Sequence, residues 1–478
     1  MLKIGRSAGI SFGPWFLVIA CVFAAFPGAR ASGQVTASQA ALTASSSSTS
    51  SSSASASSPS SATGSELQEQ LQDHIRRLTA DDMDGRGPGT AGLDRAAEYI
   101  VEEFRKAGLR PALEGGQWKQ VFVPPESVIT EPVALPAGAA WGKIELANIV
   151  GLLPGEPGDI EPGEGSAPTG GSETNGNEVV ILGAHYDHLG AAPDGALFRG
   201  ADDNASGVAA LIEIARNLVE EAPYPRDVLF IAFSGEEEGT LGSRYYVEHP
   251  VLPLERTVAM INLDAVGRME DRKLFALGSG SAAEFKQILK GINLGYRLDL
   301  AMPESGPFAS DQIPFAERGI PVLHFFSGPN ADYHRVTDTE EKIHYPALAE
   351  IVGFTSELMT FLAGDQERLT FVPPGAERAR PETAAAGSQP RRVSLGTIPD
   401  FARESGGVLL TGVMPGSPAD QIGLQKGDVL VELGGVPVDN LADFSAALKE
   451  HEPGDSVEVV VLRNGAQVRK TALLVERK

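Results

Sequence analysis

"DVLFIAFSGEEEG", residues 227–239, sets an unbroken apolar run directly against three consecutive carboxylates. The apolar half reads as a buried strand. An acidic run on its own ordinarily marks a solvated turn, so the meaning of Glu236, Glu237 and Glu238 depends on which residues stand at the ends of the other strands. Comparable β-rich runs are "EVVILGA" (178–184), "TVAMINLD" (257–264), "KLFALG" (273–278) and "IPVLHFF" (320–326). Between and around them lie helical patterns: "SELQ" as a capping box from Ser65, "DRAAEYIVEEFRKAG" ending at Gly108, "GVAALIEIARNLVEE", "AAEFKQILKGI" and "PALAEIVGFTSELMTFLAG". Strands alternating with helices predict an α/β fold, a three-layer sandwich around a mostly parallel sheet. In such sheets ligands sit beyond the carboxyl ends of the strands, which is where the three glutamates fall.

The chain has 478 residues, 42% of them hydrophobic, enough for a large core and a second domain. With 63 acidic against 39 basic residues the formal net charge is −24, which leaves no basic field for nucleic acid. Residues 1–31 read as an export signal: Lys3 and Arg6, then an apolar stretch from Trp15 to Phe26, then Ala29-Arg30-Ala31 as a cleavage site. That stretch falls short of the roughly 20 apolar residues a membrane span needs, so no transmembrane span is expected in the mature chain. Cys21 is the only cysteine, so a chain cut after Ala31 forms no disulfide. "VIAC" (18–21) also fits a lipoprotein signal, with Cys21 acylated and kept. Either way the protein is exported, to the periplasm or the medium, or lipid-anchored through Cys21. Residues 32–64 are nearly all Ser, Ala and Thr, a tether too poor in apolar residues to fold. A folded domain over 65–365 is followed by a Pro- and Ala-rich linker, 366–391, and a small mainly-β domain, 392–478.

The strand ends share a chemistry. "AHYDHLG" comes after the first strand with His185, Asp187 and His188; "GADDNASG" opens the next helix with Asp202 and Asp203; "GEEEG" ends the second strand; "LDAVGR" brings Asp264; "DYHRVTDT" brings His334. A single such residue is more often a satisfied polar group than a ligand. Five segments converging on one rim are a different matter, because so many carboxylates repel one another unless cations are present. Imidazole with carboxylate suits zinc, and two ions sharing a bridging carboxylate could hold a hydroxide between them for hydrolysis.

In this order, "HYDHLG", "GADDNASG", "FSGEEEGTLGS", "NLDAVGR" and "DYHRVTDTEEKI" resemble the exported di-zinc aminopeptidases of metallopeptidase family twenty-eight, over residues 65–365. The resemblance implies a zinc-exopeptidase fold, two Zn2+ per chain, and release of N-terminal residues from peptides with free N-termini. It implies that His185 and Asp264 serve one metal, Glu237 and His334 the other, and that Asp203 bridges them. Glu236 would be the general base and acid, and Tyr333 a hydroxyl donor to the tetrahedral intermediate. Asp187 would hold the second nitrogen of His185, and Asp338 would do the same near His334. Glu238 is assigned to a solvated turn and His188 to a local hydrogen bond, and the remaining histidines match no ligand position.

The tail, with "GSPADQIGLQKGDVLVELGG" and "PGDSVEVVVLRNG", resembles a bacterial PDZ domain over residues 392–478. Such a domain takes an extended C-terminal peptide as an added strand, with the carboxylate held in a loop matched here by Leu395, Gly396, Thr397 and Ile398. A spacer or docking role is the alternative. For the whole protein the competing readings are a single-zinc glutaminyl cyclase-like acyltransferase, a carboxypeptidase-like hydrolase with an inserted dimerisation domain, and a non-catalytic peptide-binding protein acting through the PDZ domain. The complete ligand set disfavours the first, the short interval from "NLDAVG" to "DYH" the second, and the paired Glu236 and Glu237 the third.

Overall fold

The computed structural model describes residues 62–129, 133, 135–156, 177–303, 310–365, 367–373, 392–400, 403 and 405–476. The export signal, Cys21, nearly all of the tether and most of the linker lie outside them.

The larger domain is built on strands β1 (Arg110–Pro111), β2 (Lys119–Phe122), β3 (Leu146–Leu153), β4 (Val179–His185), β5 (Asp227–Phe233), β6 (Thr257–Leu263), β7 (Lys273–Leu277), β8 (Asp299–Ala301) and β9 (Val322–Phe326). They form one sheet in the order β1-β3-β5-β4-β6-β9-β7-β8, with β2 also paired to β3. Strands β5, β4, β6 and β9 at its centre run parallel. The flanks differ from the expected parallel sheet: β3 runs antiparallel to β5, and β7 antiparallel to β9. Strand β3 carries "LANIVGLL", a run absent from the strands expected on sequence grounds. It is buried because it lies between β5 and the short strands β1 and β2, contacts made only after folding.

Side chains on the central strands alternate between two cores. On β4, Val180 and Leu182 face one core while Val179 and Ile181 face the other. On β5, Val228 and Phe230 go with the first pair, Leu229 and Ile231 with the second. Burial on both faces explains why these strands read as continuous apolar runs. The larger core is covered by α1 (Ala62–Leu78), α2 (Ala91–Lys106), α3 (Gly207–Glu221), α5 (Phe285–Tyr296) and α7 (Tyr345–Gly364). The smaller one is covered by α4 (Leu241–Glu248) and α6 (Ile313–Glu317). Ser65 lies inside α1 and is not its N-cap, because the helix begins at Ala62, within the stretch read as tether. Among the described residues α7 is the one helix long and apolar enough to cross a membrane, and most of it is buried in the core.

The smaller C-terminal domain has a core of its own around Leu395, Leu410, Leu430, Leu433, Phe444 and Val459. Its strands are β10 (Val393–Ser394), β11 (Thr397–Pro399), β12 (Val408–Val413), β13 (Val429–Leu433), β14 (Val436–Pro437), β15 (Ser456–Arg463), β16 (Ala466–Leu473) and β17 (Val475–Glu476); the main sheet runs β11-β12-β13-β15-β16 with β14 beside β13, and β10 pairs with β17. Ser417 and Asn440 cap its helices α8 (Pro418–Gln421) and α9 (Leu441–Lys449) by accepting from the amides of Asp420 and Asp443.

One buried side chain ties β3 to the turn that carries the glutamates. Asn148 on β3 donates from Nδ2 to Gln120 Oε1 (3.0 Å) and the Gly242 carbonyl (2.9 Å), while its Oδ1 accepts from the Ser234 amide (3.3 Å). Asn148→Leu keeps the volume and leaves those partners unpaired in a dry site. We expect a loss of about 2–3 kcal/mol, read from the urea midpoint of chelator-treated protein. A change below about 0.5 kcal/mol would mean the turn is held by other contacts.

Candidate metal centre

Parallel register brings the carboxyl ends of β4, β5, β6 and β9 to one rim, and each delivers a polar side chain there. His185 is the last residue of β4 and Asp264 comes directly after β6. Glu236 and Glu237 lie on the turn between β5 and α4, and His334 on the loop between β9 and α7. Asp203 sits in the irregular turn that leads into α3, with a cis peptide to Asn204.

The geometry divides around Asp203. His185 Nε2 lies 3.3 Å from Asp203 Oδ1 and 3.4 Å from Asp264 Oδ1. His334 Nε2 lies 3.2 Å from Asp203 Oδ2 and 3.0 Å from Glu237 Oε2. Ligand atoms about 2.0–2.1 Å from a tetrahedral zinc are separated by about 3.3 Å, so each half is spaced as one metal's ligands would be. Two groups able to hold a metal ion result, His185 with Asp203 and Asp264, and His188 with Asp203 and Glu237, their ligand atoms within 4.8 Å of one another. His188 shares the second half with His334. It is fully buried and its Nδ1 lies 2.6 Å from Glu237 Oε1, which leaves Oε2 turned to His334.

The electrostatics ask for positive charge. Burial works against protonation of His185, yet Asp264 and Glu236 outweigh it and hold the imidazole well above its ordinary pKa; Glu237 and Asp203 do the same to His334. Against the cost of burial, His334 and His188 drive Glu237 down to about 2. Such a field is what a dication satisfies, with the histidines then neutral and ligating. Burial raises the Glu236 carboxyl well above the usual range; His185 opposes that rise, and Asp264, Asp311 and Glu237 add to it.

The surrounding bonds differ from the sequence expectation in an instructive way. The Asp187 carboxylate lies 3.9 Å from His185 Nδ1, beyond hydrogen-bond length, and its hydrogen bonds go elsewhere. His185 Nδ1 lies 3.3 Å from the Asp187 carbonyl, and the Asp187 carboxylate accepts the consecutive amides of Glu236 (3.2 Å) and Glu237 (3.3 Å). Asp338 likewise serves backbone: it accepts the consecutive amides of Asp202 (3.0 Å) and Asp203 (3.1 Å). A fully buried carboxylate thus fixes each ligand-bearing turn through a pair of N–H groups. Asp202 in turn accepts from the Gly267 amide (2.7 Å) and from Asn330 Nδ2 (2.9 Å). Asn204 Oδ1 accepts from the amides of Gly207 (3.0 Å) and Ala265 (3.2 Å). A Cβ at Gly207 would stand 2.3 Å from Asn204 Oδ1 and 2.6 Å from the Leu263 carbonyl, so only glycine lets α3 start this close to the turn.

Glu238 is not a solvated turn residue. It is fully buried, and burial with the neighbouring Asp187 and Glu237 raises its carboxyl well above the usual range. Asp311 and Ser310 join the rim without any expectation from the sequence. Ser310 Oγ donates to Asp264 Oδ2 (2.8 Å), and burial raises Asp311 to about 7. "SDQIPF" (310–315) contains them, but nothing in that hexapeptide says that α6 packs beneath the rim. Tyr333 is 46% exposed and its ring stacks on His334 at 3.9 Å between centroids. Asp332 anchors the same loop, accepting from Thr337 Oγ1 (2.7 Å), Lys342 and Arg268 (3.3 Å). In the C-terminal domain the Leu395 side chain is buried in the core, and the Gly396 amide donates to Ser394 Oγ (3.1 Å). Thr397 and Ile398 form the edge strand β11.

Residues 167–359 match the model of Peptidase family M28, and residues 409–463 that of the PDZ domain. Aminopeptidase YwaD of Bacillus subtilis is 32% identical over 178 residues, 35% of this chain and 37% of that protein. Uncharacterized protein YfbL of Escherichia coli is 25% identical over 321 residues, 59% of this chain and 85% of its own. The match to the Bacillus relative therefore spans little more than a third of that relative's length. Among solved structures, a zinc aminopeptidase from Bacillus subtilis aligns with a TM-score of 0.47 at 18% identity, covering 63% of this chain and 96% of the other. With its rim of histidines and carboxylates at the ends of the parallel strands, the chain is similar over residues 167–359 to peptidases of family M28 and over residues 409–463 to PDZ domains.

Proposed function

We propose that this protein is an exported, zinc-dependent aminopeptidase that hydrolyses N-terminal residues from peptides, with its PDZ domain holding an extended C-terminal peptide segment. The observation that carries the reading is the divided carboxylate of Asp203, one oxygen toward His185 and Asp264, the other toward His334 and Glu237. Two dications there would balance the four carboxylates of Asp203, Glu236, Glu237 and Asp264. The relative named an aminopeptidase supports cleavage at the N-terminus. The leader residues up to Ala31 support export, with Cys21 either removed with the leader or acylated as an anchor.

When bound, zinc supplies Lewis acidity, lowering the pKa of water toward neutrality and polarising the scissile carbonyl. The protein's own part is positioning and proton transfer. Glu236 is half-open to the rim while its amide is pinned by Asp187 Oδ1 (3.2 Å), so its carboxylate reaches the attacking water with little freedom to wander. It accepts the water's proton as oxygen bonds to the carbonyl carbon, and returns that proton to the amine nitrogen as the C–N bond breaks. Its neighbour Glu237 is committed to His188 and His334, so the two adjacent glutamates divide the tasks of base and ligand. Tyr333 stands beside His334 with its ring exposed, where its hydroxyl can donate to the oxygen that gains charge. Ser310 orients Asp264 from the far side.

Protein purified without the leader, from Ser32 onward, should contain two zinc ions per chain and release the first residue of aminoacyl-anilides. Chelation should abolish turnover and zinc should restore it; a folded protein with neither metal nor turnover would leave a peptide-binding protein as the reading. Glu236→Gln should keep both ions and lose on the order of 10²-fold or more in kcat. Full activity in that metallated variant would remove Glu236 from the mechanism. Asp264→Asn should weaken one site and spare the other, whereas Asp203→Asn should weaken both, as metal analysis after dialysis would resolve. Equal retention of two ions in both variants would rule out the shared carboxylate.

A further inference from the structure

Arg86 is fully buried, yet among the described residues no carboxylate lies within ion-pair distance of it. Its guanidinium binds backbone carbonyls: Nε to Tyr186, Nη1 to Leu78 and Arg199, and Nη2 to Gly200, each at 2.8 Å. Tyr186 stands between His185 and Asp187, and Gly200 stands just ahead of Asp202 and Asp203. One planar group therefore joins the turn after β4 to the turn before α3, that is, the segments carrying His185 and Asp203, and fastens both to the end of α1. The backbone around Arg86 makes the same connection in return. The His188 amide donates to the Arg86 carbonyl and the Gly190 amide to the Gly85 carbonyl, both at 3.1 Å. Gly85 has φ 59, and a Cβ there would lie 2.2 Å from the Gly190 carbonyl oxygen. The approach is close enough to require glycine.

A buried cation without a paired anion is costly and calls for a reason. Burial pushes the Arg86 guanidinium down to about 10, so it stays charged at neutral pH, and Asp203, Asp338, Asp187 and Glu237 sustain that charge from a distance. Arg86 thus supplies fixed positive charge behind the acidic rim without occupying any of its ligand atoms. A planar fork of donors suits several carbonyls at once, which a lysine ammonium does not reproduce.

We infer that Arg86 is a positioning residue for the metal centre, setting the spacing of the His185 and Asp203 turns through the carbonyls of Tyr186 and Gly200. This role rests on the two-zinc reading above. It is tested by zinc affinity, measured by competition with a chromophoric chelator for wild type, Arg86→Lys and Arg86→Ala, alongside the denaturation midpoint of each chelated protein. Wild type should take up two ions. Arg86→Ala should bind zinc roughly 10–100-fold more weakly, the range found when groups supporting metal ligands are removed. Millimolar guanidinium, which fits the vacated carbonyl cluster, should recover part of that affinity, whereas the same concentration of methylammonium should not. Arg86→Lys, which keeps the charge without the fork, should fall between the two and guards against failure of the alanine variant to fold. Zinc affinity within twofold of wild type in folded Arg86→Lys, even with a lowered denaturation midpoint, would overturn the inference and leave Arg86 a core residue. Absence of zinc from wild type itself would overturn the two-zinc reading and this role with it.

Discussion

Mutual repulsion among buried carboxylates is the constraint around which the larger domain is arranged. Asp187, Asp202, Asp203, Glu237, Glu238, Asp311 and Asp338 are all buried near one end of the sheet. In a medium of low dielectric, like charges at such spacing are tolerated only where cations, hydrogen-bond donors or protonation offset them. Each of those remedies is present. Asp187 and Asp338 are met by pairs of backbone amides, and Asp202 by an amide and an asparagine. Asp311 and Glu238 are raised toward their neutral forms. What remains, on Asp203, Glu237 and Asp264, faces three histidines, His185, His188 and His334, and is the part suited to metal ions.

The same bonds make the rim rigid. Four of its segments come from different strands and would drift independently if each were held only by its own β-ladder. Asp187 ties the end of β4 to the turn after β5, Asp338 ties the last loop to the turn before α3, and Asn204 ties that turn to the end of β6. Arg86 closes the set from below with donors where these residues offer acceptors. A metal centre needs ligand atoms placed within fractions of an ångström, and this network of polar bonds is the physical means of keeping them there.

Much of the fold is legible in the sequence because the central strands are buried on both faces. The runs at 178–184, 227–234 and 257–264 coincide with β4, β5 and β6 to within a residue or two, and "GVAALIEIARNLVEE" is α3 in full. The edges are harder to read. The register of β3 beside β5 is fixed by a long-range antiparallel pairing, and the short β1, β2 and β8 have too little burial to leave a periodic signal. The early start of α1 is masked because Ser65 offers a cap that the longer helix does not use.

The sequence by itself determined that His185, Glu236, Glu237 and Asp264 gather at the rim, because a histidine or carboxylate at the end of a parallel strand has one place to go. It could not decide how those residues are wired. Whether Asp187 holds an imidazole or two amides depends on how close the β5 turn comes, and whether Glu238 meets water or the core depends on what packs over that turn. Arg86 lies 99 residues before His185 and donates only to carbonyls, which every residue possesses, so no side-chain pattern could announce it. The residue types at the strand ends are set by local sequence and strand order, whereas the surrounding bonds join backbone groups far apart in the chain, and only the tertiary structure brings those together.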